Sequence, residues 1–158
     1  MTEITTLADL LREIGWSLTT AESCTGGLIA AACTAVAGSS DWFDRGFVTY
    51  SNGSKTQLLG VPAPLIDAHG AVSPEVARAM AQGALARSSA QLAVAVTGVA
   101  GPGGGSPEKP VGTVWIATAR LGASTHADGF LFAGDRSSVR MQTVARALHA
   151  VKLRVAEG

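Results

Sequence analysis

The stretch Leu92-Ala93-Val94-Ala95-Val96 decides the fold of this chain. Five apolar residues follow one another without polar alternation, which predicts a short strand that is covered on both faces. A strand of this kind lies at the centre of a sheet, between packed layers. Thr97-Gly98 ends the run, and a glycine-rich loop over residues 98–105 follows. The carboxyl end of the central strand therefore leads into a loop whose backbone can approach a ligand closely.

Four further segments read as strands. Trp16 to Ala21 is one of them, and Arg45 to Ser51 is another, bounded by Asn52-Gly53, which predicts a turn. The segments from Thr113 to Ala119 and from Thr125 to Phe132 are separated by a short connection, which predicts an antiparallel hairpin. The sheet is therefore expected to be mixed.

Helical patterns occupy the segments between these strands. The predicted helices cover residues 7–14, 27–36, 73–86 and 137–151. The first carries an amphipathic stripe of apolar residues and ends at Gly15. The third begins with Ser73 as N-cap and Pro74 at the first helical position. Together with the strands, they predict an α/β protein with a mixed sheet.

Length and composition favour one soluble domain over residues 1–158. The 12 basic residues balance the 12 acidic ones, so the chain offers no overall attraction to nucleic acid. No run approaches the roughly 20 apolar residues of a membrane span, and Met1-Thr2-Glu3 does not start a signal peptide. We therefore expect a cytoplasmic protein that binds neither nucleic acid nor membrane.

Cysteine and histidine usage gives no sign of a metal. Cys24 and Cys33 are the two cysteines, without CxxC or Cys/His ligand spacing. No Asp/Glu/His cluster calls for a catalytic metal either. We expect no metal and no cofactor.

The run from Ala21 to Gly27, Ala-Glu-Ser-Cys-Thr-Gly-Gly, lies between a predicted strand and a predicted helix. Free N–H groups at such a junction favour developing negative charge, so a nucleophile here suggests acyl or phosphate chemistry. The run lacks the flanking glycines of a GxSxG elbow. The residues alone support two interpretations of Ser23 equally, as a nucleophile and as a polar N-cap. Cys24 is an alternative nucleophile.

Lysine is the base that the sequence offers to Ser23. Tyr50 and Lys55 are five residues apart, whereas short-chain dehydrogenases need a separation of four. The glycine-rich loop at 98–105 fits neither a Walker A loop nor a dinucleotide fingerprint. A serine nucleophile with a lysine base is the variant of the triad logic that remains.

Six ordered motifs resemble one family across nearly the whole chain. They are the segments 21–27, 48–52 with Lys55, 58–61, 70–73, 97–102 with 109–112, and 134–136. The chain is similar in these motifs to the CinA C-terminal domain family, whose enzymes are nicotinamide mononucleotide deamidases. It departs from the family at Ala37, where proline is usual, and at Ser54, where alanine is common.

The resemblance implies a three-layer α/β/α sandwich that hydrolyses the carboxamide of nicotinamide mononucleotide to the acid, with release of ammonia. It implies that Ser23 attacks the amide carbon, that a buried, neutral Lys55 takes the serine proton, and that Tyr50 orients the reaction or relays protons. The residues expected to bind the substrate are Thr25, Gly26 and Gly27 as oxyanion donors, and Thr97, Gly98, Arg136 and Arg140 around the phosphate. In the competing interpretation, Asp135 is a plain N-cap and Arg136 is solvated.

The resemblance also bears on assembly and on an alternative function. Larger family members carry an N-terminal domain resembling molybdopterin-binding proteins, and we expect this chain to be the stand-alone amidohydrolase without it. A homodimer is expected, with apolar Trp42-Phe43 and the alanine-rich helices as available surface. The alternative is a non-catalytic nucleotide-binding or regulatory module, since some members are associated with competence and DNA damage responses.

Overall fold

The computed structural model describes residues 2–157. The helices are α1 (Glu3–Ile14), α2 (Leu28–Thr34), α3 (Asn52–Leu59), α4 (Ala63–His69), α5 (Pro74–Ala86) and α6 (Arg136–Ala156), with a 3-10 turn at Ser39–Asp41. The strands are β1 (Leu18–Glu22), β2 (Phe43–Val48), β3 (Leu92–Gly98), β4 (Thr113–Arg120) and β5 (His126–Leu131).

The five strands form one mixed sheet in the order β2-β1-β3-β4-β5. β1 pairs in parallel with β2 on one side and with β3 on the other. β3 pairs antiparallel with β4, and β4 pairs antiparallel with β5. The predicted central strand and the predicted hairpin are both confirmed.

Helices cover the sheet on both faces, because alternate residues of the central strand face opposite layers. Leu92, Val94 and Val96 pack into a cluster with residues of α1, α2 and α6. Ala93 and Ala95 pack into a second cluster with residues of α3, α4 and α5. The three-layer α/β/α architecture is therefore confirmed.

The alanine face of the sheet allows its helices to pack closely. Gly83 of α5 lies against the end of α3, where an added Cβ would overlap the Leu59 carbonyl oxygen. Trp42 is fully buried, so the prediction that it provides surface for a dimer is wrong. Its indole packs in the cluster beside α1 and α2.

The predicted turn at Asn52-Gly53 is also wrong. The Ser51 hydroxyl accepts a hydrogen bond from the Ser54 N–H at 3.1 Å and thereby acts as an N-cap. With its first turn capped in this way, the chain continues from Asn52 as helix α3. The sequence interpretation missed both α3 and α4, and α3 carries Lys55.

Within residues 2–157, none of the helices is both long enough and apolar enough to cross a membrane.

Candidate active site

The carboxyl ends of β1 and β3 open onto a cavity of about 220 Å³. It is lined by Ser23, Cys24, Tyr50, Asn52, Lys55, Ala71, Val72, Thr97, Gly98, Ala100 and Arg136. Because β1 and β3 are parallel neighbours, the motif after β1 and the loop after β3 meet at this edge. The structure thus brings together all three predicted catalytic residues and three of the predicted substrate-binding residues.

Ser23 and Lys55 are in direct contact. Lys55 Nζ lies 2.9 Å from Ser23 Oγ, although the two residues are 32 positions apart in the chain. Only 8% of Ser23 and 1% of Lys55 is exposed to solvent. This distance is within hydrogen-bond reach, the geometric requirement for a nucleophile and its base.

Two backbone carbonyls complete the surroundings of the Lys55 amine. Nζ donates to Thr49 O at 2.9 Å and to Tyr50 O at 3.1 Å. A neutral amine has two N–H donors and one lone pair. Nζ also donates to Ser23 Oγ, as a charged ammonium with three N–H donors does. Once a proton is lost and the two carbonyls accept the remaining N–H bonds, the lone pair faces Ser23 Oγ. The geometry therefore accommodates both the charged lysine and its neutral form.

Burial shifts the equilibrium between these two forms toward the neutral amine. Desolvation lowers the pKa of the Lys55 ammonium from its ordinary 10.5 to about 8, since an ion loses hydration in the interior. The nearby Cys24 acts in the opposite direction and is the smaller influence. With this pKa, about a tenth of Lys55 is neutral at pH 7, and the neutral form predominates only above pH 8.

The neighbouring thiol is in an environment that disfavours its reactive form. Burial, above all, raises the pKa of Cys24 to about 11, and the charge of Glu22 adds to this effect. The thiolate is the nucleophilic form of cysteine. At neutral pH, Cys24 is therefore a thiol. Ser23, in contrast, is in hydrogen-bond contact with the Lys55 amine.

Tyr50 and Arg136 lie at the mouth of the cavity. Arg136 donates to Gly101 O at 2.9 Å and to the Tyr50 phenol oxygen at 3.3 Å. Tyr50 is 61% exposed. Asp135 does act as the N-cap of α6, accepting from the Ser138 N–H at 2.8 Å, but Arg136 is held at the cavity and is not simply solvated.

Arg140 contacts the backbone of the turn that follows Ser23. Its Nε donates to Cys24 O at 3.1 Å and its Nη2 to Thr25 O at 3.3 Å. Arg140 is absent from the residues that line the cavity. Arg140 lies one helical turn after Arg136 in α6, but its guanidinium bonds to the backbone that follows Ser23, outside the cavity.

The predicted oxyanion donors Thr25, Gly26 and Gly27 also lie outside the cavity lining. The Gly26 N–H already donates to Ser23 O at 3.1 Å. The Thr25 hydroxyl donates to Glu22 Oε1 at 2.6 Å. Their role as oxyanion donors stays a prediction, and these bonds show that two of the three residues also stabilise the turn.

Thr97 and Gly98 shape the opposite wall of the cavity. Thr97 Oγ1 donates to Ala71 O at 2.9 Å, which holds the segment that carries Ala71 and Val72 against β3. An added Cβ at Gly98 would lie 2.7 Å from a methyl group of Val114. The glycine therefore permits close packing of β3 on β4 beside the site.

Several residues of the site escaped the sequence interpretation. Asn52, Ala71, Val72 and Ala100 line the cavity. Their motifs were visible in the sequence, but nothing in them singled out these side chains. Glu22, which is buried beside Ser23, was missed as well. An acidic residue at the end of an otherwise uncharged strand was the available signal.

Over the part of the chain that the structure describes, no three His, Cys, Asp or Glu side chains come together as a metal site would require.

Known proteins resemble this chain over nearly its full length. PncC of Pseudomonas putida, a nicotinamide-nucleotide amidohydrolase, is 57% identical over 152 residues, covering 94% of this chain and 94% of that protein. A CinA-like protein of Citrifermentans bemidjiense is 61% identical over 142 residues, covering 90% of this chain and 34% of that protein. The chain spans about a third of the length of this relative and of two others.

A solved structure agrees with the fold. The crystal structure of competence damage-inducible protein A from Klebsiella pneumoniae subsp. pneumoniae MGH 78578 matches with a TM-score of 0.94 at 42% identity. The match covers 98% of this chain and 95% of that one. The sequence profile of the family described as the CinA C-terminal domain matches residues 2–155. On this evidence, the chain belongs to the CinA C-terminal domain family.

Proposed function

We propose that this protein is an amidohydrolase that converts nicotinamide mononucleotide to nicotinic acid mononucleotide and ammonia. The observation that carries the proposal is the 2.9 Å contact between Ser23 Oγ and the buried Lys55 amine. The similarity to the nicotinamide-nucleotide amidohydrolase of Pseudomonas putida supports the choice of substrate.

The first half of the reaction forms an acyl-enzyme. Ser23 Oγ attacks the carboxamide carbon while its proton passes to the neutral Lys55 amine. The tetrahedral intermediate then collapses as the Lys55 ammonium gives this proton to the departing nitrogen, which leaves as ammonia. The nicotinoyl group remains esterified to Ser23.

The second half returns the enzyme to its starting state. Lys55, neutral again, takes a proton from a water molecule as its oxygen attacks the ester carbon. Collapse of this intermediate returns the proton to Ser23 Oγ and releases the acid. The sum is one amide and one water converted to one acid and one ammonia.

The substrate is expected to extend beyond the cavity. Its volume of about 220 Å³ is below the roughly 300–1,000 Å³ that surrounds a drug-sized ligand. We therefore place the nicotinamide ring, which bears the carboxamide, inside the cavity and the ribose phosphate at its mouth, near Tyr50 and Arg136. Arg136 is the better candidate for the phosphate, because it lines the cavity, whereas Arg140 lies outside the lining and donates to the Cys24 and Thr25 carbonyls.

Incubation with nicotinamide mononucleotide tests the proposal, with ammonia and the acid product measured together. We expect turnover by the wild type, and a loss of at least about 10³-fold in kcat for Ser23→Ala, because the nucleophile acts as a unit with its base. Cys24→Ala is the matched control and should retain activity. Loss of activity in Cys24→Ala with retention in Ser23→Ala would make the thiol the nucleophile.

The same assay decides between the enzyme and the regulatory module. Tight binding of the mononucleotide by the wild type, without release of either product, would favour the module. We further propose that the chain acts as a single cytoplasmic domain, as its length and composition indicate, and that it forms a homodimer, as the family resemblance implies. Light scattering of the purified protein measures its assembly state.

A further inference from the structure

Glu22 is a buried carboxylate that the proposed reaction does not use. It is the last residue of β1, directly before Ser23, and it is 1% exposed. A buried carboxylate is costly unless hydrogen bonds compensate for its lost hydration. Its partners therefore indicate what it is retained for.

Three donors converge on the Glu22 side chain. Oε1 accepts from Thr25 Oγ1 at 2.6 Å and from the Ile29 N–H at 2.8 Å, and Oε2 accepts from the Ala30 N–H at 3.0 Å. Ile29 and Ala30 belong to the first turn of α2, whose N-cap residue, Gly27, has no side chain. Glu22 thus caps α2 from the neighbouring strand.

The backbone of Glu22 reaches the other half of the proposed dyad. Its carbonyl accepts from the Thr49 N–H at 2.9 Å, and the Thr49 carbonyl in turn accepts from Lys55 Nζ at 2.9 Å. Both sides of the Ser23–Lys55 contact are therefore attached to this one residue. The side chain fixes the serine turn, and the backbone fixes the lysine partner.

We propose that Glu22 is a positioning residue, whose carboxylate ties the turn from Ser23 to Gly27 to helix α2 and so holds Ser23 Oγ at the Lys55 amine. This inference rests on the proposed function for the roles of Ser23 and Lys55. Glu22 does not touch the reacting atoms. It acts through the turn.

Glu22→Gln tests the inference, because it keeps the side-chain volume and turns one acceptor oxygen into an N–H₂ donor. Whichever donor the new amide faces loses its bond. We expect kcat to fall about 10- to 100-fold, as for other groups that support reacting residues, while KM changes less than about threefold. The pH at half-maximal kcat/KM should not move, because the carbonyls that hold Lys55 remain in place.

Ile29→Val is the matched control. It weakens packing of the same helix but leaves the Ile29 N–H bonded to Glu22, so kcat should stay near the wild-type value. A similar fall in kcat for both variants would show that general loosening of α2 is responsible and would overturn the inference. A shifted pH profile in Glu22→Gln would also overturn it, since Glu22 would then act through charge on Lys55.

Two further measurements keep the inference testable. Thr25→Val, which removes one donor to the carboxylate, replaces Glu22→Gln if that variant does not fold, and unchanged kcat would contradict the inference.

Labelling of Ser23 by a fluorophosphonate reports its nucleophilicity without the mononucleotide, with Ser23→Ala as the blank. Slower labelling in Glu22→Gln supports the inference even if the wild type does not turn over the mononucleotide. Equal labelling of both proteins, or none of the wild type, counts against it.

Discussion

At the residue scale, the environment of Lys55 converts an ordinary surface cation into a candidate base. Burial lowers its pKa to about 8, and two carbonyls use its donors. The shift from 10.5 corresponds to about 3 kcal/mol of differential interaction between charged and neutral forms. Burial of Lys55 in α3 thus disfavours its charged form and makes the neutral amine available beside Ser23 at a lower pH.

The lowered pKa of Lys55 predicts the pH dependence of turnover. The neutral amine is the active form, so kcat/KM should rise with pH, reach half its maximum near pH 8 and level off above pH 9. Initial rates between pH 7 and 9.5 measure this, in a range above the phosphate pKa of about 6. A flat profile over this range, or a fall through pH 8, would contradict a neutral lysine base.

At the element scale, α6 places two arginines one turn apart in different surroundings. Arg136, at its start, lies at the mouth of the cavity with Tyr50. Arg140 bonds to the carbonyls of Cys24 and Thr25. The same helix therefore places one arginine at the cavity and the other against the backbone of the serine turn.

This separation predicts different kinetic effects for the two arginines. Arg136→Ala should raise KM about 10- to 100-fold with little change in kcat, because a charge-assisted bond to phosphate contributes about 1.5–3 kcal/mol. Arg140→Met keeps much of the side-chain length without its donors, and it should lower kcat while leaving KM within about threefold. Steady-state kinetics with the mononucleotide separates the two parameters.

An equal rise in KM for both arginine variants would contradict this assignment. The phosphate would then be shared between them, as the sequence led us to expect.

At the scale of the whole molecule, close packing of the alanine face determines where α3 lies. Gly83 of α5 leaves no room for a side chain beside the Leu59 carbonyl, at the end of the helix that carries Lys55. Ala93 and Ala95 of β3 are small enough for α5 to pack closely on this face of the sheet. The position of Lys55 therefore depends on small residues in two elements, α5 and β3.

Two glycine-to-alanine variants test this packing. Gly83→Ala should destabilise the protein by about 2–3 kcal/mol, because the new methyl group meets backbone that cannot move freely. Gly53→Ala, in α3 with nothing within 4 Å of the added atom, should instead stabilise it by about 0.5–1 kcal/mol. Urea unfolding monitored by circular dichroism compares them, and equal effects would contradict the packing argument.

The sequence predicted those parts of the fold that depend on local patterns. The apolar run at 92–96, the Ser73-Pro74 helix start and the closing hairpin are all confirmed. The sequence failed at Asn52-Gly53, because a turn signal and a helix start share the same polar residues. Only the cap from Ser51 distinguishes them.

The sequence by itself determined the five strands, the helices α1, α2, α5 and α6, the family motifs and the presence of Ser23, Tyr50 and Lys55, because these follow from residue type and short-range spacing. The tertiary structure decided that Lys55 is buried against Ser23, that Glu22 caps α2, and that Arg140 braces the turn while Arg136 faces the cavity. These properties arise from contacts between residues up to 116 positions apart. Desolvation and hydrogen-bond geometry exist only once the chain has brought such residues together.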